Sequence, residues 1–259
     1  MKRPLALAVL LCAAPLASCD KSTVQELPLA PVPTARIMFF NSGVNAPAVN
    51  FYANDTKMTA IQSKNDIEST SGVAYGQVGN GGSYSGIAPG TYTLTGRIAD
   101  TTGGYKDRRI DTLSATIADG KFYSFYLSGV YDTTAKRVDA FVVEDPIPAQ
   151  WDYSAAYVRF INAIYNANPL TLYAKNTDTT VTKDSLAVGG AVAYKAAGPF
   201  TAVPNGVYNL ITHYAGSNRS ITRGNVSFVR GHLYTIGARG DTTRTSGTLA
   251  PALDNTPNR

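Results

Sequence analysis

Few side chains in this chain have the type and spacing to do chemistry. It holds two cysteines, Cys12 and Cys19, and two histidines, His213 and His232. A cysteine thiol is a nucleophile, and Cys19 ends the run Leu16-Ala17-Ser18-Cys19, where an apolar stretch meets small residues. His213 sits late in an alternating segment and His232 follows Gly231, and neither has a closely spaced second ligand, so no metal site is expected. Gly82-Ser83-Tyr84-Ser85-Gly86 has the outline of a nucleophile elbow but carries Tyr at its centre. The glycine-rich stretch 76–86 lacks a P-loop lysine. Asp100-Thr101-Thr102-Gly103-Gly104 and Asp132-Thr133-Thr134 are loop acids without an EF-hand pattern. No catalytic residues, metal or cofactor are expected.

The N-terminus is the most specific segment. Lys2 and Arg3 precede an apolar run over 5–16, too short for a stable membrane span, which needs about twenty residues. It reads as a secretory signal. Leu16-Ala17-Ser18-Cys19 resembles the bacterial lipobox, which implies cleavage between Ser18 and Cys19 and acylation of the Cys19 thiol and amine. More than one acyl chain makes anchoring stable. Residues 1–18 are therefore expected to be a signal peptide. Residues 19–34, with three prolines, are expected to be a lipidated, semi-extended tether reaching at most ~50 Å. The mature chain would keep no free thiol and no disulfide, so packing must hold it together.

Charge excludes little. The formal net charge is +5, two units of which lie on Lys2 and Arg3, too little to point to nucleic acid. Its distribution is uneven: residues 35–145 carry ten basic and eleven acidic groups, residues 155–256 nine and four. Arg219, Arg223 and Arg239 are candidates for a basic face toward an anionic partner, such as lipid headgroups, envelope polysaccharide or the other half of the chain; the alternative is a solvated face.

The elements that must position these groups repeat. Residues 35–41 (ARIMFFN) align with 156–162 (AYVRFIN), and seven of the twenty-one positions from 35 to 55 match their partners without a gap. Val73-Ala74-Tyr75 recurs as Val192-Ala193-Tyr194, Gly90-Thr91-Tyr92 as Gly206-Val207-Tyr208, and Gly120-Lys121-Phe122-Tyr123 as Gly231-His232-Leu233-Tyr234. Order is kept and gaps fall between blocks, so a domain is duplicated: 35–148 and 154–257. Period-two alternation predicts about seven strands in each: 35–41, 48–54, 73–79, 90–98, 111–118, 121–129 and 137–144, then 156–162, 169–175, 190–196, 206–214, 222–229, 232–239 and 247–253. Asp119-Gly120 and Arg230-Gly231 read as hairpin turns. The expected fold is all-β: two tandem immunoglobulin-like antiparallel β-sandwiches. Tyr92 and Tyr208, each just after a turn, resemble the structural tyrosine corner of such sandwiches.

Taken together, Ile37-Met38-Phe39-Phe40-Asn41-Ser42-Gly43-Val44-Asn45-Ala46-Pro47, Ala88-Pro89-Gly90-Thr91-Tyr92 and Ala140-Phe141-Val142-Val143-Glu144-Asp145-Pro146 resemble a bacterial envelope family, domain of unknown function 4397. Val158-Arg159-Phe160-Ile161-Asn162 and Ala252-Leu253-Asp254 repeat the likeness in the second half. The resemblance implies a sandwich and export, and implies no reaction. Where the family's opening strand carries His, this chain has Asn41 and Asn162, so no role of that His transfers.

The expectation for function is a lipid-anchored cell-envelope protein, on the inner or outer membrane and facing periplasm or exterior, with two non-catalytic modules that bind or scaffold an envelope polysaccharide or protein. The alternatives are an extracytoplasmic polysaccharide hydrolase with paired carboxylates between the repeats, or an accessory subunit of an outer-membrane assembly offering an edge strand.

Overall fold

The computed structural model describes residues 33–59, 63–64, 67–68, 70–99, 104–178, 185–214 and 219–258. Ser18, Cys19, the signal and most of the tether lie outside the described residues, as do Asp100 to Gly103. Pro33–Arg259 forms one compact unit. No helix among the described residues is long and apolar enough to cross a membrane.

The first repeat contains β1 (Ala35–Asn41), β2 (Val49–Ala53), β3 (Thr56–Lys57), β4 (Ser63–Lys64), β5 (Ile67–Glu68), β6 (Gln77–Val78), β7 (Ser85–Ile87), β8 (Gly90–Ile98), β9 (Leu113–Ile117), β10 (Phe122–Asp132) and β11 (Arg137–Glu144). The second contains β12 (Ala155–Asn162), β13 (Leu170–Asn176), β14 (Ser185–Val192), β15 (Ala196–Ala197), β16 (Thr201–Pro204), β17 (Gly206–His213), β18 (Ser220–Phe228), β19 (Leu233–Arg239) and β20 (Ala252–Pro257). Each repeat is a two-sheet sandwich, as the duplication and alternation predict.

In the first repeat an inner sheet runs β11-β10-β1, with β6 and β7 both along the free side of β1, and an outer sheet runs β3-β2-β8-β9. In the second the inner sheet runs β15-β12-β19-β20, with β16 also on β12, and the outer sheet runs β14-β13-β17-β18. The first strand of each repeat lies inside its sheet and runs parallel to the penultimate one, β1 with β10 and β12 with β19. All other strand pairings are antiparallel.

Alternation places one face of every long strand in a core. Ile37, Phe39, Phe51, Leu94, Phe125 and Leu127 fill the first sandwich, and Val158, Phe160, Leu172, Leu210, Phe228 and Ile236 the second. Phe39, Phe51 and Phe125 pack as one aromatic cluster, with centroids 5.2 to 6.1 Å apart, one stacked pair and two edge-to-face.

Four local expectations are corrected. The third strand of the first repeat is not continuous over 73–79: Val73 makes an isolated bridge to Val49, and the short strands β6 and β7 take the place beside β1 opposite β10. The strand expected at 190–196 is β14, which starts earlier and joins the outer sheet, while β15 and β16 take the place beside β12. The last strand spans Ala252–Pro257 rather than 247–253. Finally, the turns at Asp119-Gly120 and Arg230-Gly231 are not hairpins. Each carries the chain from the outer to the inner sheet, from β9 to β10 and from β18 to β19. The glycine at each has a positive φ, +69° and +75°, the conformation that turn needs. A tyrosine three residues after each glycine clamps the crossover: Tyr123 Oη accepts the Ala118 amide and Tyr234 Oη the Val229 amide, both at 3.1 Å.

Candidate binding surface

The two inner sheets face each other. Met38, Phe40, Tyr126 and Phe141 of the first repeat meet Ile161 and Ala163 of the second in a third apolar core. Phe40, Tyr126 and Phe141 stack within it, at 4.3 and 5.0 Å. Both faces of β1 are therefore buried. The alternation of Ser124 and Ser128 with Tyr123, Phe125 and Leu127 suggests a solvated polar face; both serines are instead fully buried in this seam.

A closed polar network crosses the seam. Arg159, from the middle of β12, is wholly buried and lies with its Nη2 2.6 Å from Asp145 Oδ1, which is equally buried. Arg159 also donates to Ser124 Oγ (3.2 Å), Thr235 Oγ1 (3.0 Å) and the Glu144 carbonyl (3.4 Å), and its guanidinium lies 5.0 Å over the Phe200 ring. Asp145 Oδ2 accepts from Ser124 (2.8 Å) and from Tyr84 Oη (2.6 Å). Thr235 donates to Asn258 Oδ1 (2.7 Å), and Asn258 Nδ2 donates to Tyr84 Oη (3.1 Å). Burial, then the adjacent Asp145 carboxylate, pushes the Tyr84 phenol well up, so it stays a donor. A buried ion pair is tolerable only when its remaining hydrogen-bonding capacity is met, as here.

This seam has the geometry of an isologous dimer interface within one chain. Ser124 is the Cα partner of Met38, and Thr235 of Arg159, in the same register. The Asp145 amide donates to the Phe122 carbonyl just as the Asn258 amide donates to that of Leu233. Positions 38 and 159, 124 and 235, and 145 and 258 are thus equivalent. Peripheral contacts are reciprocal. Tyr194 packs its phenol on Ser128, at 2.9 Å, and its equivalent Tyr75 carries the guanidinium of Arg239, the residue equivalent to Ser128, 4.6 Å over its ring.

The sequence-proposed basic groups do not form one face. Arg223 is on the outer sheet and Arg239 on the inner one. Arg239 is turned into the seam. It forms a bidentate pair with Asp254 (Nε–Oδ2 2.5 Å, Nη2–Oδ1 3.2 Å) and packs on the other repeat at Tyr75 and Gly76. Arg219 donates to the carbonyls of Thr242 (2.7 Å) and Arg244 (3.4 Å). Arg223 is exposed and gives one N–H to the Leu253 carbonyl, at 2.7 Å.

Two concavities adjoin Arg223. One, of about 230 Å³, lies at the mouth of the seam between Ser42, Gln77, Asn255 and Thr256. Its one lining carboxylate is Asp254, already paired with Arg239, so the opposed carboxylates that glycoside hydrolysis uses are not assembled among its described residues. The other, about 500 Å³, lies on the outer face of the second repeat, between Lys175, Ser185, Asn209, His213, Thr222 and Arg223. Among the described residues no group of three or more His, Cys, Asp or Glu is placed to hold a metal. Asp132 Oδ1 instead accepts the amides of Thr134 and Ala135, which hold its carboxyl below the usual range.

Tyr92 and Tyr208 do what corner tyrosines do: each phenol donates to the carbonyl four residues upstream, Ala88 at 2.9 Å and Pro204 at 2.8 Å. Asn41 and Asn162 are likewise architectural. Their side-chain amides donate to the equivalent carbonyls of Val73 (3.0 Å) and Val192 (3.1 Å). The seam network escaped the sequence reading because an arginine inside an alternating strand reads as solvent-facing. Its one visible signal was the unbroken apolar run Ile37 to Phe40, which suits a strand covered on both sides.

No curated protein matches this sequence. Among solved structures it is similar to a crystal structure of a "putative cell adhesion protein" from Bacteroides ovatus ATCC 8483, at 11% identity over 88% of this chain and 97% of that one, with a TM-score of 0.23. The profile of the family described as domain of unknown function (DUF4397) matches residues 35–173, which take in the whole first sandwich, β12 and the first half of β13. With more than half its length matched, this chain belongs to the DUF4397 family.

Proposed function

We propose that this protein is a lipid-anchored component of the bacterial cell envelope whose two sandwiches act as one rigid, non-catalytic binding or scaffolding body. The observation that carries the reading is the buried seam. It uses up the inner sheets and leaves the outer sheets, with the groove beside Arg223, as the presented surfaces. A body of this kind presents ligand sites at fixed spacing without hinge motion between the halves. The anchor rests on Leu16-Ala17-Ser18-Cys19. Mass spectrometry of the N-terminal peptide from protein extracted from native membranes tests it. The expected species starts at an acylated Cys19, and Cys19→Ser leaves the membrane fraction. A chain that retains residues 1–18, or an unmodified Cys19, contradicts the anchor.

A second reading, an accessory subunit of an outer-membrane assembly, is favoured by one observation. β14, at the edge of the outer sheet, has no charged residue over Ser185–Val192, and its pairings among the described residues are all with β13. Such an edge is a template for a partner strand. Ala187→Lys is expected to abolish a partner bound there and to leave stability unchanged.

A further inference from the structure

We infer that the outer face of the second repeat binds an acidic polysaccharide, with Lys175 meeting its carboxylate or sulfate groups on that face and Arg223, turned past the sheet edge toward the Leu253 carbonyl, meeting them at its rim. This rests on the binding reading above and names its ligand class. The groove has a local cause. β17 and β18 lose register between Tyr208 and Leu210, where Asn225 takes a positive φ of 57° and its amide donates to Asn209 Oδ1 at 3.2 Å. Such a bulge bends and twists its strand, which makes this face concave.

The groove, of about 500 Å³, is the size of a small-ligand site. Its described lining contains Lys175, Arg223 and His213 and no carboxylate, with Ser185, Asn209 and Thr222 to bond hydroxyls. Beside it Tyr173 meets His213 edge-to-face at 6.3 Å, offering a ring to the apolar face of a pyranose. Arg223 also lines the polar cleft at the seam, so the track continues past the sheet edge to Gln77 and Asn255. That length suits a polymer. Among its described lining the apolar side chains are Leu210 and Ile211, the first buried in the core, which favours a polar ligand over a lipid bilayer.

The first repeat supplies the internal comparison. Its equivalents of Tyr173 and His213 are Tyr52 and Arg97, and there the guanidinium, 4.0 Å over the ring, is neutralised by Asp55 at 2.7 Å. Asp55 also pairs with Arg109. The residue equivalent to Asp55 in the second repeat is Asn176. The second repeat thus keeps the ring, has His213 for Arg97 and Lys175 for Asn54, and has no acid at the position of Asp55, as charge complementarity to a polyanion requires.

The test is retention of the mature chain with Cys19→Ser, so that no acyl chain can enter a bilayer, on immobilised polygalacturonate and on heparin, with neutral dextran and phosphatidylglycerol vesicles alongside. The expected result is retention on at least one acidic polymer, lost in high salt, with none on dextran and no preference for the vesicles. Lys175→Glu with Arg223→Gln should weaken retention at least tenfold. Asn176→Asp, which restores the first repeat's acid and can still accept the Asp178 amide (2.8 Å) but no longer donates to the Tyr208 phenol, should weaken it severalfold at a temperature well below its melting temperature. Retention on neither acidic polymer, equal retention of wild type and Asn176→Asp, or binding to the vesicles instead overturns the inference. If a crosslinked glycan or protein is then still recovered, the wider binding reading stands; if neither is, that reading falls too.

Discussion

Arg159 and Asp145 meet at 2.6 Å with both side chains out of water, at positions where the opposite repeat holds Met38 and Asn258. The seam is pseudo-symmetric in register while its side chains differ: Tyr126 and Phe141 stand where the second repeat has Gly237 and Asp254, and the charges differ as well. One equivalent pair gained a cation and another an anion, and the two were placed in contact. In a fused chain the halves can diverge in this way, whereas identical subunits would bury two arginines and two aspartates.

Removing one partner leaves the other charge buried alone. Arg159→Met, which copies the first repeat, should cost on the order of 3–5 kcal/mol in urea unfolding. Adding Asp145→Asn, which copies Asn258, makes this pair of sites uncharged and matched to the opposite repeat and should recover most of that loss. A double variant no more stable than the single one contradicts the pairing.

Asp111 predicts a pH dependence. It is buried in the first repeat, Oδ1 accepts the Gly96 amide and Oδ2 has no partner; burial pushes its carboxyl up to about 7 from 3.8. The folded state therefore binds the proton more tightly than the unfolded one. Stability from this group is full below about pH 4, falls as pH rises, and is lost above about 7. Asp111→Asn should raise stability at pH 8 by on the order of 2 kcal/mol and change little at pH 4, read from thermal melts across pH.

The corner tyrosines are structural. Tyr92→Phe and Tyr208→Phe each remove one phenol hydrogen bond and should cost about 1 kcal/mol, with the larger effect at the more buried Tyr208. Unchanged melting temperatures in both would remove the corners from the account.

Gly76 has φ +77°, and a Cβ there would lie 2.7 Å from the Arg239 guanidinium. Gly76→Ala should therefore destabilise by about 1–3 kcal/mol through backbone strain and displacement of Arg239. Loss of the Arg239–Asp254 pair in an NMR or crystallographic comparison would be its signature.

Much of the fold was legible. The strands at 35–41, 90–98 and 137–144 fall where alternation and turn residues place them, because side-chain period reports burial directly. Pairing partners were not legible. A strand after Asp119-Gly120 or Arg230-Gly231 alternates identically whether it folds back as a hairpin or crosses to the other sheet. The seam was hidden for a related reason: Ser124, Ser128 and Arg159 are polar on alternate positions whether water or another sandwich lies above them. Arg223 was singled out by charge, but its separation from Arg239 follows from that same sheet crossing. Asn176, next to Lys175 of the groove, became visible only through its alignment with an ion-paired Asp55.

The central claim is that two sandwiches, each with its own core, are locked into one body through the Arg159–Asp145 seam. Differential scanning calorimetry of the whole chain tests this most directly. A single transition whose calorimetric and van't Hoff enthalpies agree is expected, moving as one when Arg159→Met is introduced. Two resolved transitions in the wild type, one insensitive to Arg159, would contradict it.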